Sequence, residues 1–269
     1  MERIKPKWKT GQEQFARLQA ADQANECLYC ILDLGQEMLQ CGGEVSRVED
    51  SIRRLCLAYG AERVDVFIIT SSIVVTIYAH RFGAVTQTRR VVGQKYDLNK
   101  LERLNELSRR ICAERMSLAE ATRELEDICA RGQESFGQQI LVYALISASF
   151  SLFFGGSLWD AVASGLIGVV LKGLDRAIRS TQANSLLSAL ICSCLGGILA
   201  VLAVRAGLGQ SVDMISIGNI MLLIPGIALV NSLRDMFSGN TISGMLRFLE
   251  AILLALVIAF GFALVIAVM

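Results

Sequence analysis

The sequence predicts an α-helical polytopic membrane protein of about five transmembrane helices with an N-terminal α+β cytosolic domain. Three observations predict it. Of the 269 residues, 53% are hydrophobic and the mean hydropathy is +0.49, too apolar for an ordinary soluble domain. Charge is concentrated in the first half. Only six of the 26 Lys and Arg (Lys172, Arg176, Arg179, Arg205, Arg234, Arg247) and five of the 25 Asp and Glu (Asp160, Asp175, Asp213, Asp235, Glu250) lie beyond residue 137. Beyond that point, apolar runs alternate with short polar breaks, and each run is near the length that crosses a hydrocarbon core of ~30 Å. The composition break separates a cytosolic domain over 1–135 from a transmembrane domain over 136–269.

Within 1–135 the order is α-α-β-β-β-α-α. Residues 12–40 are helical, with Leu28, Ile31, Leu32, Gly35, Met38 and Leu39 at helical spacing, and Gly42-Gly43 ends the run. A second helix covers about 45–59 on the stripe Val48, Ile52, Leu55, Cys56 and Tyr59, with Gly60 as its C-cap. The period then changes to two. Segments 64–70 and 73–79 are rich in β-branched and aromatic residues and flank a Ser pair, the pattern of a hairpin. Segment 85–92 alternates and reads as a third strand with one face open to water. Helix returns at Asp97, which caps the stripe Leu98, Leu101, Leu104, Leu107 and Ile111. Ser117-Leu-Ala-Glu120 has capping-box spacing and opens a last helix to about 131. Roughly 135 residues suffice to bury a core.

The spans fall near 138–155, 157–172, 184–204, 213–233 and 245–268, the first two at the short end. Lys and Arg in the breaks orient them. Gly155-Gly156-Ser157 carries none, the second break holds Lys172, Arg176 and Arg179, the third only Arg205, and the fourth Arg234 and Arg247. The even breaks therefore face the cytosol of a cell with an inner (plasma) membrane, the N-terminus lies on that side and the C-terminus lies outside. The first residues, MERIKPKWKTGQEQ, are charged and lack the apolar stretch of a signal peptide. Five spans without a second copy of the pattern do not make the two matching halves of a complete transporter. That points to a small membrane partner subunit or a homo-oligomer.

Several classes are excluded or unsupported. A net charge of +1 with mixed signs does not suit nucleic acid, which demands an excess of cations. Eight cysteines, six of them in the half assigned to the reducing cytosol, read as free buried thiols. Cys27-Leu-Tyr-Cys30 lies inside a helix without a second pair, so no metal site is assigned. The single histidine, His80, has no Ser or Cys partner in sequence, so no catalytic residue is assigned. There is no phosphate-binding loop and no cofactor motif. The chain reads as a non-enzyme with no cofactor.

The fourth apolar run carries the candidate site. Pro225 lacks an N–H and crowds the preceding turn, and Gly226 leaves the backbone uncovered, so the helix breaks or kinks there. A break in lipid offers half-helix termini to ions and carboxylates, whereas a plain kink only shapes packing. Asn219, Pro225, Gly226 and Asn231 are the candidate substrate contacts. Asn231, Arg234 and Asp235 fall on one helical face, with Arg234 alternatively snorkelling to the headgroups. Arg247 and Glu250, three apart, are either an interfacial pair or, for Glu250, an ionisable group inside a span and hence a functional candidate. Arg234, Asp235, Arg247 and Glu250 are the coupling and gating candidates. In the cytosolic domain Glu44, Arg47, Glu49 and Arg53 share a helix face, either solvated or a gating latch, with Glu44, Arg47 and Glu49 as the gating candidates.

These residues carry a resemblance. Leu223-Ile-Pro225-Gly226, Asn231-Ser-Leu-Arg234-Asp235, Ser238-Gly239, Gly244 and Arg247-Phe-Leu-Glu250-Ala251 resemble the motif series of the threonine/serine exporter (ThrE-like) family. Gly43-Glu44-Val-Ser-Arg47-Val-Glu49 resembles its N-terminal cytosolic signature. The resemblance covers roughly 25–268. It implies a secondary exporter of small metabolites and, since the chain ends after the fifth span, the larger subunit of the split two-component form that resembles bacterial succinate exporters. The implied substrates are hydroxy amino acids or C4-dicarboxylates, and the implied partner is a small integral-membrane subunit. A membrane-anchored sensor or scaffold, in which the cytosolic domain carries the function, is the alternative reading.

Overall fold

The computed structural model describes residues 11–93, 96–131, 135–179 and 184–268. The charged first ten residues, the last residue and 180–183 of the second basic break lie outside the described residues. By contacts the chain forms two compact units, Met1–Gly132 with Asn231–Arg247 and Gln133–Val230 with Phe248–Met269.

The first unit begins with helices α1 (Gly11–Gln40) and α2 (Val45–Ala58). Strands β1 (Arg63–Ile69), β2 (Ser72–Ala79) and β3 (Gly83–Arg90) follow, then helices α3 (Leu98–Glu114) and α4 (Leu118–Ala130). The strands make an antiparallel sheet in the order β1-β2-β3. Ile73, Val75, Ile77 and Ala79 of the central strand are buried, and on its other face the Thr76 and Thr86 hydroxyls meet at 2.9 Å across to β3. Against the buried face lie Leu28, Ile31, Leu32, Met38 and Leu39 of α1 and Val48, Ile52 and Leu55 of α2, joined by Leu104 and Leu107 of α3. Each such side chain contributes about 1.5–3 kcal/mol of burial. Gly35 lets α1 and α2 meet: a Cβ there would sit 2.7 Å from Ile52 Cδ1. Local signals close the ends. Asp97 accepts the Lys100 N–H at 2.9 Å, and Ser117 and Glu120 form the reciprocal capping box.

The second unit contains α5 (Phe136–Phe153), α6 (Leu158–Arg179), α7 (Ser185–Arg205) and α8 (Val212–Leu223). Small residues let these helices approach. A Cβ at Gly168 would lie 3.0 Å from the Tyr143 carbonyl, and one at Gly196 3.0 Å from the Phe262 ring.

The chain ends in α9 (Gly226–Phe237) and α10 (Thr241–Val268). Helices α5, α7 and α10 are each long and apolar enough to cross a membrane, and α8 with α9, bent by 51° at the break between them, makes a fourth candidate. Helix α6 has the length, at 22 residues, but Asp160, Lys172, Asp175 and Arg176 keep it out of that group. Among the described residues, three helices, or four with the bent pair, are thus long and apolar enough to cross, where five apolar runs were expected.

Candidate functional site

The first unit brings together one loop and two helix ends. Helix α1 stops in a Schellman turn: Gly42, at φ +96°, donates to Leu39 O and Gly43 to Met38 O. A Cβ on Gly43 would lie 2.7 Å from the Met38 carbonyl, so the chain passes too tightly for a side chain. Helix α2 then opens at Glu44, whose side chain makes no capping bond. The cap comes from 190 residues downstream: Asp235 Oδ1 accepts the Val45 N–H at 3.0 Å. A carboxylate there also complements the positive end of the helix.

Asp235 is fully buried, and its second oxygen accepts from Arg247 Nη1 at 3.0 Å. The same Nη1 reaches the Gly43 carbonyl at 3.3 Å, and Asn231 Nδ2 donates to the Gly42 carbonyl at 3.0 Å. Arg234 pairs with Glu44. Helices α9 and α10 hold this geometry because Gly239, at φ +92°, closes the turn. Gly244 lets the helices touch: a Cβ there would lie 2.6 Å from the Ser232 carbonyl. Arg247 is 3% exposed, and its Nε and Nη2 have no partner among the described residues.

Of the candidates, Asn231, Arg234, Asp235 and Arg247 thus converge on Glu44 and its loop. Arg234 lies on the exposed side of its helix, apart from buried Asp235. Arg247 pairs with an acid twelve residues earlier, where the sequence offered Glu250. Glu250 is exposed. Arg47 is exposed, and Glu49 pairs with Arg53 at 2.9 Å along the helix.

In the second unit Ile224 is extended (φ −61°, ψ 132°) and ends α8 just before Pro225. The Gly226 N–H turns back to Ile224 O at 2.9 Å, Gly226 is exposed, and a Cβ there would meet nothing within 4 Å. Asn219 is fully buried, donating to Ile215 O at 2.9 Å and accepting from Ser147 Oγ at 2.8 Å.

The family model described as "Putative threonine/serine exporter" matches residues 29–269. The chain belongs to the threonine/serine exporter family. A relative from Klebsiella aerogenes, described as "Probable succinate transporter subunit YjjP", is 24% identical over 250 residues, covering 87% of this chain and 89% of the relative. An uncharacterized protein of Schizosaccharomyces pombe is 28% identical over 178 residues, covering 63% of this chain. The match takes in only 23% of that relative's own length. No solved structure matches the chain.

Membership in this exporter family, together with its apolar helices, makes the chain a membrane protein and gives weight to two features the sequence reading missed. One is Asp160, which follows Trp159 early in the second apolar run. It is 2% exposed and accepts from Ser157 N and Oγ (2.9 and 2.8 Å), Gln210 N (2.6 Å) and Ser211 N (2.9 Å). It thereby ties the start of α6 to the start of α8. The spacing Ser157-Leu-Trp-Asp160 was the signal available. The other is a buried hydroxyl seam. Ser164 Oγ lies 2.8 Å from Ser147 Oγ, which reaches Asn219, while Ser151 and Ser216 hydroxyls are buried without partners among the described residues. The cysteine pair is chemically quiet, since burial pushes the Cys27 thiol up to about 12 and raises that of Cys30. Among the described residues no cluster could hold a metal ion.

Proposed function

We propose that this chain is the larger subunit of a two-component secondary exporter for small carboxylate-bearing metabolites, threonine and serine or C4-dicarboxylates such as succinate. It works in the inner membrane with a small integral-membrane partner or a further copy of itself. In this reading α6 also crosses the bilayer, giving five spans with the N-terminus cytosolic and the C-terminus outside. The observation that carries it is the break at Pro225-Gly226, because an anchor needs no interrupted span. The break leaves first-turn amides of α9 to meet a carboxylate. Asn219 holds α8 through Ile215 and Ser147 and has a second amide N–H with which to meet the solute. Asp235 and Glu250 are the acids available to carry a coupling proton. The loop at 42–45 acts as a latch, because the start of α2 takes its cap from Asp235 of α9.

Extracellular succinate, threonine and serine are measured in cells with and without this gene and a neighbouring small membrane-protein gene. Lower export in either deletion supports the reading, and equal levels in all strains favour a sensor or scaffold. Asp235→Asn and Glu250→Gln test proton carriage; unchanged export in both removes that role. Deleting 1–130 should abolish or uncouple export, and full activity of the shortened chain rejects the latch.

A further inference from the structure

Arg247 is a buried cation with only one of its terminal nitrogens engaged. Nη1 serves Asp235 and the Gly43 carbonyl, while Nε and Nη2 have no acceptor among the described residues. A desolvated guanidinium with unmet donors is costly, and more so than a neutral group in the same place. Neighbouring acceptors are already engaged: both Asp235 oxygens are bonded, Glu44 pairs with Arg234, and the Gly42 carbonyl takes the Asn231 amide. The unmet donors form the planar Nε–Nη2 edge, the fork that takes both oxygens of one carboxylate.

We propose that this fork of Arg247 seats a carboxylate of the transported solute, with Asp235 as the internal carboxylate competing for the same guanidinium. The proposal rests on the exporter reading and deepens it, naming a side-chain contact for the carboxylate of the solute. It makes two demands. The fork selects a planar carboxylate over a carboxamide, and an ammonium at the same position does not replace it. Asp235 and Arg247 together are neutral, so a bound carboxylate adds an uncompensated negative charge facing Asp235. Removing the Asp235 charge while keeping its shape therefore tightens binding.

Equilibrium binding of succinate, L-threonine and the neutral diamide succinamide tests this on the full-length chain, purified in neutral detergent with any membrane partner that accompanies it. Wild type is expected to bind at least one of the two carboxylates and not succinamide. Arg247→Lys should weaken that binding by about tenfold or more and Asp235→Asn should tighten it by about tenfold. If Arg247→Lys does not fold, Asp235→Asn alone decides. No carboxylate binding by wild type, equal binding of succinamide, or unchanged affinity in either folded variant overturns the proposal. Added phosphatidylglycerol distinguishes a lipid headgroup: if it displaces the solute from wild type, the solute assignment fails. The two readings fail separately. Binding in the expected rank order by a chain whose deletion leaves export unchanged rejects export and keeps the fork, whereas export that persists in Arg247→Lys rejects the fork and keeps export.

Discussion

Each of the two units buries an aspartate, and they satisfy it in different ways. Asp160 in the second unit needs no cation: three backbone N–H groups and one hydroxyl, all at helix starts, take up its two oxygens. Asp235 in the first unit has one backbone N–H and a guanidinium that is itself only partly served. A carboxylate complete in its own backbone surroundings is structural cement with little reason to change state. A charged pair with open donors is poised to accept another partner. The comparison separates a buried charge that the backbone serves completely from one whose hydrogen bonding is unfinished among the described residues.

The strongest way to break this comparison is to remove the cation. Arg247→Met leaves Asp235 as a buried charge held by one N–H, at a cost of about 3–5 kcal/mol. Poor accumulation and a lowered melting temperature are expected, with part of the loss recovered by adding Asp235→Leu, since the unpaired charge is removed although the Val45 N–H then loses its acceptor. A melting temperature equal to wild type in the single variant would mean the pair is solvated and the contrast with Asp160 is empty.

Asp160→Ala comes next. It strands four donors at two helix starts, for about 3 kcal/mol, seen as a lower melting temperature. No second substitution should rescue it as Asp235→Leu rescues Arg247→Met, because no unpaired charge is left behind.

Much of this contrast lay beyond sequence reading, for a physical reason. Helices, strands and their caps follow from residues within about four positions, which is why Ser117 with Glu120 and the apolar stripe of β2 could be read directly. Pro225 announced the break by its missing N–H. The Asp235 contact to Val45 spans 190 residues, and no local period encodes it. Its one trace in the sequence is negative: α2 opens at Glu44 after two glycines, without a Ser, Thr, Asp or Asn to cap it. An uncapped helix start in a folded chain asks for an acceptor from elsewhere. The grouping of 231–247 with the N-terminal residues was hidden likewise, because composition places that stretch among the apolar runs.

Val45→Pro sharpens the same point with a smaller effect. Proline suits the first helical position, and Glu44 at φ −69°, ψ 139° already has the conformation a following proline prefers. The substitution therefore deletes the N–H that serves Asp235 while leaving α2 able to form. A loss of about 1.5–3 kcal/mol is expected for a hydrogen bond to a charged acceptor, read by chemical denaturation with the helical signal of the native state unchanged. A loss under about 0.5 kcal/mol would show that Asp235 does not cap α2.

The smallest effect belongs to the neutral seam. The Ser147 hydroxyl has one proton and two acceptors close by, Asn219 Oδ1 at 2.8 Å and the Ser164 carbonyl at 3.0 Å. Giving it to Asn219 lets Ser164 donate to Ser147 and Asn219 donate to Ile215, so every member is served in one direction. Ser147→Ala cuts this chain in the middle. Ser164 can turn to the Ser147 backbone carbonyl at 3.1 Å, so only the Asn219 oxygen is stranded. About 1 kcal/mol is expected, and combining it with Asn219→Leu should cost less than the two single losses added together. Neutral hydroxyls can be rearranged in this way because no charge is exposed by the change. A loss as large as that of Arg247→Met would show that the neutral seam is no more able to rearrange than the charged pair.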